Sequence, residues 1–184
     1  MKARSSVIRC QLTITDLNRN RYETSRLTTA FMDDESTEHL VLRLLTIGLL
    51  PMKPLTFGRG VCSGHDPDVM QKAMDDHLLY WIDAGFPAVN RLKRARHHAD
   101  HVLVTSLLSS DWLEQARINQ SALEDVELLL IDNSLVKSLE DNLTRSVDWA
   151  MIIDGARLTV TEQGKLYEGT CYQFNSPSEL DALH

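Results

Sequence analysis

Cysteine is scarce in this chain of 184 residues, which contains only Cys10, Cys62 and Cys171. The three residues are odd in number and lie far apart, which excludes a disulfide framework and a cysteine-ligated zinc site. Long apolar runs are missing too, since none approaches the roughly 20 residues that a membrane-spanning helix needs. The start, MKARSSVIRC, carries charge with no apolar signal region behind it. We therefore expect a cytoplasmic, monomeric protein with no membrane partner.

Positive charge is in deficit, because 19 Lys and Arg residues face 26 Asp and Glu residues and the net charge is −7. A protein that binds nucleic acid over its whole surface usually carries the opposite sign. Any nucleic-acid function must therefore rest on a local basic patch. The densest one is RLKRARHH at residues 91–98, where Arg91, Arg94 and Arg96 are the candidates for phosphate contacts.

Hydrophobic residues make up 43% of the chain, enough for a sizeable core and too many for disorder. The length and composition predict a single domain over residues 1–184 of mixed α/β (α+β) class. A mixed sheet flanked by helices is expected at about 34–131, and alternating hairpins at 6–31 and 147–174 are expected to form an added sheet.

Within the core the patterns predict several elements along the chain. They are a helix in DDESTEHLVLRLLTIGLLP, a short strand in LTFGRGV, a loop-rich stretch at 62–76, a strand at 78–84, a basic helix at 88–98 and a strand–helix–strand unit with a right-handed crossover. The tail NSPSELDALH is predicted to fray.

Asp83 is an anomaly, because it shares a strand face with the apolar Leu79 and Trp81. A buried ionised carboxylate is costly unless a partner compensates it. The plain structural interpretation is that an arginine pairs with it at the strand end. Arg43, which lies among leucines in the first predicted helix, is expected to pair with a carboxylate in the same way.

The alternative interpretation is a metal site. Glu38 heads an apolar helix stripe with Leu42 and Leu45, and Asp75 and Asp76 stand just before the strand of Asp83. Carboxylates that converge on one point repel each other unless a cation lies between them. Oxygen ligands suit Mg²⁺ or Mn²⁺. Lys93 would then stabilise charge on a reacting phosphate.

The sequence resembles the bacterial YaeQ family, which is assigned to the PD-(D/E)XK nuclease-like superfamily with its restriction-endonuclease-like αβββαβ core. The matching stretches are LTITDLNRNRYE, ESTEHLVLRLL, LTFGRGV, KAMDDHLLYWIDAGFP, RLKRA and the closing strand meander. The resemblance covers nearly the whole chain. It implies a metal-binding set of Glu38, an acidic residue near Asp76, and Asp83 at the (D/E) position.

The chain departs from the superfamily pattern at the lysine position, which is Gly85 here. The resemblance implies that Lys93 on the following helix replaces that lysine. The third acidic residue is open among Asp76, Asp75 and Asp68. Asp68 follows a proline directly, as the motif requires, but it lies in a polar stretch, so we expect Asp76, which borders the strand.

Two functions follow from these observations. In the first, the protein is a divalent-metal-dependent phosphodiesterase that acts on nucleic acid, with Glu38, Asp76, Asp83 and Lys93 as catalytic residues. In the second, it is a catalytically inactive nuclease-fold protein that binds nucleic acid or a protein partner through RLKRARHH, because a fold does not fix a function.

Overall fold

A computed structural model describes residues 5–59 and 64–183, and these residues form ten strands and four α-helices. The strands are β1 (Ser5–Asp16), β2 (Arg21–Met32), β3 (Thr56–Phe57), β4 (Val69–Lys72), β5 (Leu78–Ala84), β6 (Ala99–Leu107), β7 (Val126–Ile131), β8 (Ser146–Asp154), β9 (Arg157–Glu162) and β10 (Lys165–Phe174). The helices are α1 (Thr37–Leu49), α2 (Val89–Ala95), α3 (Asp111–Ile118) and α4 (Asn133–Asp141). The predicted mixed α/β class is confirmed.

The ten strands belong to one sheet, in the order β2-β1-β8-β9-β10-β7-β6-β5-β4-β3. The terminal strands pair as expected, since β1 runs parallel to β8. They do not form a separate sheet, however. The first part of β10 pairs with β9, and its last residues, from Cys171 to Phe174, pair with β7. One long strand therefore joins the terminal strands to the central ones.

The central strands combine two pairing directions. Strands β3, β4 and β5 are antiparallel, whereas β5, β6 and β7 are parallel. Parallel neighbours need a crossover connection, and α2 and α3 supply the two crossovers. The apolar run of β7 is buried along nearly its whole length, as expected for a strand covered on both faces.

Helix α1 lies at the centre of the main apolar core. The Ser36 hydroxyl caps it by accepting a hydrogen bond from the backbone N–H of His39 at 3.1 Å. Every residue from Leu40 to Leu49 is buried. The helix packs against β1 as well as β4, β5 and β6, so it touches both parts of the sheet. Ile82 and Ala84 of β5 point into this core.

The opposite face of the central strands carries a second apolar core. It contains Leu92 of α2, Leu113 of α3 and Trp81 of β5. Successive side chains of a strand point to opposite faces. Asp83 therefore lies on the α2 side of the sheet together with Trp81, whereas α1 packs on the other side.

Three local predictions need correction. The loop-rich stretch contains strand β4, whose four residues are too few to show an alternation in the sequence. The basic helix ends at Ala95, and residues 96–98 form turns before β6 begins. The tail is packed as far as Leu183, because Pro177 and Leu180 of a 3-10 turn (Pro177–Leu183) are buried, Leu180 against the second core.

Other predictions concern residues that the structure only partly covers. Cys10 and Cys171 are free thiols. Cys62 lies outside the described residues, as do Gly60 and Val61 of the predicted strand LTFGRGV. Within the described part of the chain, no helix combines the length and the apolar character that crossing a bilayer requires.

Candidate functional site

Asp83 is the penultimate residue of β5 and lies on the α2 side of the sheet, and its side chain is only 1% exposed. Arg91 of α2 donates two hydrogen bonds to its carboxylate, from Nε to Oδ2 at 2.7 Å and from Nη2 to Oδ1 at 2.8 Å. This bidentate arrangement is among the strongest that a carboxylate can make. The basic helix after the strand therefore supplies the partner that the buried carboxylate requires.

Arg91 also donates hydrogen bonds to the segment that precedes β4. Its Nη1 donates to the carbonyl oxygen of Gly64 at 2.9 Å, and its Nη2 donates to that of Asp66 at 2.7 Å. Its guanidinium carbon lies 5.3 Å from the centroid of the Trp81 ring, which is close enough for a cation–π contact. Arg91 therefore faces into the protein, and its guanidinium is not free for the phosphate contact predicted from the sequence.

Asp68 directly precedes β4 and lies beside the end of β5. Its Oδ2 accepts a hydrogen bond from the backbone N–H of Ala84 at 2.8 Å and lies 3.0 Å from Nε2 of His39. Burial acts to raise the pKa of Asp68, but the hydrogen bond and charge of His39 outweigh it and lower that pKa. Burial likewise raises the pKa of Asp83, against the hydrogen bonds of Arg91, and the charge of Asp68 adds to the rise.

His39 bridges two carboxylates. Its Nδ1 lies 2.7 Å from Oε1 of Glu35, while its Nε2 faces Asp68. Both ring nitrogens face carboxylate oxygens, so both must donate, which only the imidazolium form can do. Burial lowers the pKa of His39, but the hydrogen bonds to Asp68 and Glu35 prevail and raise it to about 9. A fixed positive charge thus lies between Glu35 and Asp68.

Glu35 is in turn paired with Arg43, which is fully buried in α1. Arg43 donates from Nε and Nη2 to the two carboxylate oxygens of Glu35 at 2.7 and 2.9 Å. It also donates to the Thr29 hydroxyl and the Ala30 carbonyl of β2, both at 2.9 Å. The pairing of Arg43 with a carboxylate, expected from the sequence, is present. A chain of alternating charges therefore runs from β2 through α1 to the end of β5.

The structure does not bring Glu38, Asp76 and Asp83 together. Glu38 lies on α1, on the opposite side of the sheet from Asp83. Burial and then the charge of Glu140 on α4 raise its pKa. Asp76 lies in the β4–β5 turn with its side chain 89% exposed. From that turn, β5 extends for about 16 Å before it reaches Asp83.

These placements correct the predicted site. The residue that lies beside Asp83 is Asp68, the third of the open alternatives, because β4 carries it to the far end of the hairpin. Asp75, the remaining alternative, is in the turn with Asp76 and hydrogen-bonds to His77.

The basic helix also differs from its prediction. Arg96 is engaged internally, with an ion pair to Asp125 and a hydrogen bond to the Ala122 carbonyl. Lys93 and Arg94 are exposed and make no ion pair with any described residue. Lys93 therefore points to solvent, whereas the cation at the acidic site is Arg91.

The described side chains do not fit the Mg²⁺ or Mn²⁺ site that the resemblance implies. No group of three or more His, Cys, Asp or Glu residues within 5–59 and 64–183 could hold a metal ion. Each carboxylate of the network already has a cation: Asp83 has Arg91, Asp68 has His39, and Glu35 has both His39 and Arg43. Without a rearrangement of these cations, the network offers no open ligand set.

The sequence contained two signals for this network that the prediction did not use. Glu35, His39 and Arg43 follow one another at intervals of four residues, the spacing that places side chains on one helix face. The Pro67–Asp68 dipeptide was a second signal, and its position before β4 became clear only when that strand was known. The sequence alone does not indicate which residue of the acidic run from Asp33 to Glu35 is buried.

Comparison with known proteins finds relatives that all carry the same description and match most of this chain. The family model described as YaeQ protein matches residues 1–170. "Uncharacterized protein YaeQ" of Escherichia coli (strain K12) is 30% identical over 186 residues, covering 98% of this chain and 94% of that protein. The protein of the same description from Salmonella typhi is 26% identical over 162 residues, covering 85% of this chain and 88% of that protein.

Two crystal structures have the same fold. YaeQ protein from Xanthomonas axonopodis pv. citri superposes with a TM-score of 0.83 at 23% identity, covering 95% of this chain and 100% of that one. YaeQ protein from Pseudomonas syringae superposes with a TM-score of 0.84 at 24% identity, covering 92% of this chain and 96% of that one. At these identities the likeness concerns the fold alone.

Proposed function

The chain belongs to the YaeQ protein family, and we propose that it binds nucleic acid through the exposed cations of α2 without cutting it. We also propose that the core is of the restriction-endonuclease type and that the protein works in the cytoplasm. The order α1, β3, β4, β5, α2, β6 supports the first of these, since it agrees with the αβββαβ order. The free thiols of Cys10 and Cys171 suit a reducing compartment.

The observation that carries the proposal is the cationic stripe, which we define as Lys93 and Arg94. Both residues are exposed on α2, with Leu92 and Ala95 buried behind them. Lys93 and Arg94 have no carboxylate partner among the described residues. In a protein of net charge −7, unpaired cations on one helix face form the kind of local patch that phosphate groups contact.

The experiment is a binding titration with fluorescently labelled single-stranded and duplex DNA and RNA. It compares the native protein with Lys93→Ala/Arg94→Ala. The matched control, Arg157→Ala/Lys165→Ala, removes the same charge from exposed positions on β9 and β10. We expect about tenfold weaker binding for the α2 variant and little change for the control. The slope of log affinity against log salt should fall by about 1.4–1.8, the effect of two lost phosphate contacts. Equal losses in both variants, or no binding by the native protein at low salt, would overturn the proposal.

A second candidate function is a divalent-metal-dependent phosphodiesterase centred on Asp68 and Asp83. The observation in its favour is that β4 and β5 place these two carboxylates side by side at the strand ends. The same titrations, repeated with Mg²⁺ or Mn²⁺ and followed for strand cleavage, test it. Cleavage by the native protein that is absent with Asp83→Asn would favour this candidate over binding alone.

A further inference from the structure

Four oxygen atoms surround the Arg91 guanidinium. They comprise both carboxylate oxygens of Asp83 and the backbone carbonyl oxygens of Gly64 and Asp66, all within 2.9 Å of a guanidinium nitrogen. The charge of Asp68 is near enough to act on Asp83 as well. Carboxylate and carbonyl oxygens that converge from a strand and a loop are the ligands that a hard divalent cation takes.

We infer that the Arg91 guanidinium is the resident cation of this site and that in the native protein it holds the place of a divalent metal and excludes it. The inference concerns Asp83 and its loop partners, so it is independent of the nucleic-acid binding proposed for the cationic stripe. It also gives a physical reason why the described residues do not form an open metal site.

Arginine suits this role for three reasons. Its guanidinium stays protonated over the physiological pH range, and its planar fork matches a carboxylate in a bidentate way. It is tethered to α2, so an ion from solution competes with a cation that is permanently beside Asp83. The Trp81 ring, 5.3 Å from the guanidinium carbon, gives the cation a further contact that a hydrated metal ion would not reproduce.

The neighbouring charges explain why one cation is enough. His39 is positively charged between Glu35 and Asp68, and Arg43 covers the other side of Glu35. Asp83 is therefore the carboxylate of the network whose negative charge is balanced by Arg91. If Arg91 is removed, Asp83 remains buried beside Asp68 with no cation of its own, and a metal ion can take the vacated place among the four oxygens.

The test measures thermal unfolding of the native protein and of Arg91→Ala in chelator, and then with millimolar Mn²⁺ or Ca²⁺. The native protein should show no metal-dependent shift. Arg91→Ala should unfold at a lower temperature in chelator and recover on addition of metal. Metal at a hundred times its dissociation constant should raise its Tm by roughly 5–10 °C. The matched control is Asp83→Asn/Arg91→Ala, which keeps the same space, lacks the charge and should not respond to metal.

Guanidinium ion provides a second readout. Millimolar guanidinium chloride, far below denaturing concentrations, should raise the Tm of Arg91→Ala, while the native protein and the double variant should not gain. If Arg91→Ala does not fold in chelator, folding that is restored by Mn²⁺, Ca²⁺ or guanidinium supports the inference in the same way.

Two results would overturn the inference. One is a metal-dependent rise in the Tm of the native protein that disappears with Asp83→Asn, because the site would then accept metal with Arg91 present. The other is an Arg91→Ala protein that responds to neither metal nor guanidinium. Neither result bears on the oligonucleotide titrations, which depend on Lys93 and Arg94, so the two proposals can fail separately.

Discussion

The Nε2 atom of His39 lies 3.0 Å from Oδ2 of Asp68 and thereby joins α1 to the residue that directly precedes β4. The imidazole donates to Glu35 on its other side. The ion pair of His39 and Asp68 therefore links α1 to the sheet beside the end of β5. Because the ring must be an imidazolium to make both bonds, the contact depends on pH.

We predict that His39 stabilises the folded protein in a pH-dependent way. Its pKa is raised to about 9 from an ordinary 6.5. The stabilisation is therefore full below about pH 6.5 and is lost as the pH rises through 9. The difference between the two pKa values corresponds to roughly 3 kcal/mol. Urea unfolding of the native protein and of His39→Gln between pH 6 and 10 measures it. The two stabilities should converge as the pH rises, and parallel curves would contradict the imidazolium assignment.

Asp83→Asn is predicted to destabilise the protein. The amide keeps the shape of the side chain but leaves the Arg91 guanidinium without its counter-charge. Breaking a buried ion pair on one side typically costs about 3–5 kcal/mol, and we expect the lower end because the Arg91 side chain is 21% exposed. The matched control is Asp76→Asn in the exposed β4–β5 turn, which should change stability by less than about 0.5 kcal/mol.

Denaturant unfolding of both variants in chelator decides this prediction. If repulsion from Asp68 outweighs the pairing with Arg91, Asp83→Asn should be neutral or stabilising, so a variant at least as stable as the native protein would contradict the ion-pair interpretation.

The sequence predicted the fold well where the periodicity was long. Helix α1 shows its leucine stripe, and β5 to β7 are apolar runs separated by α2 and α3. It failed at β4, because a strand of four residues shows no alternation and is recognised only through its pairing with β5. That failure carried over to the site, since β4 is the element that places Asp68 beside Asp83.

Of the residues predicted to share a site, Asp83 lies near Asp68 and not near Glu38 or Asp76. Asp83 was anomalous because a strand face fixes where its side chain points. Glu38 was predicted to be the residue that α1 contributes to the site, because it heads the apolar stripe. The stripe, however, indicates only approximately where a side chain on the helix points. The next residue, His39, is rotated by about 100° around the helix axis and faces Asp68 instead. The choice among neighbouring acids depends on contacts between segments that lie far apart in the sequence.

Gly169→Ala is predicted to destabilise the packing of β10 against α4. A Cβ atom at Gly169 would lie 2.7 Å from Cβ of Leu135 and 2.9 Å from Cβ of Asp132, and neither atom is at the end of a flexible side chain. Overpacking of this kind costs typically about 1–3 kcal/mol. Gly64→Ala, where the added Cβ meets no atom of residues 5–59 or 64–183 within 4 Å, is the control. Thermal unfolding should show a lower Tm for Gly169→Ala but not for Gly64→Ala. An equal fall in the Tm of both variants would contradict the close approach of β10 to α4 at Gly169.

The pair formed by Arg43 and Glu35 is predicted to couple β2 to α1. Arg43→Met and Glu35→Gln should each cost roughly 3–5 kcal/mol, because each leaves a buried charge with fewer partners. The double variant should lose about 2 kcal/mol less than the sum, since the two residues share one network. A control cycle that combines Arg43→Met with Glu168→Gln, an exposed residue of β10, should be additive within about 0.5 kcal/mol. Urea unfolding of all six proteins, native included, gives both cycles. Additivity in the Arg43–Glu35 cycle would mean that Arg43 acts through Thr29 and Ala30 on β2 and that Glu35 is held by His39 alone.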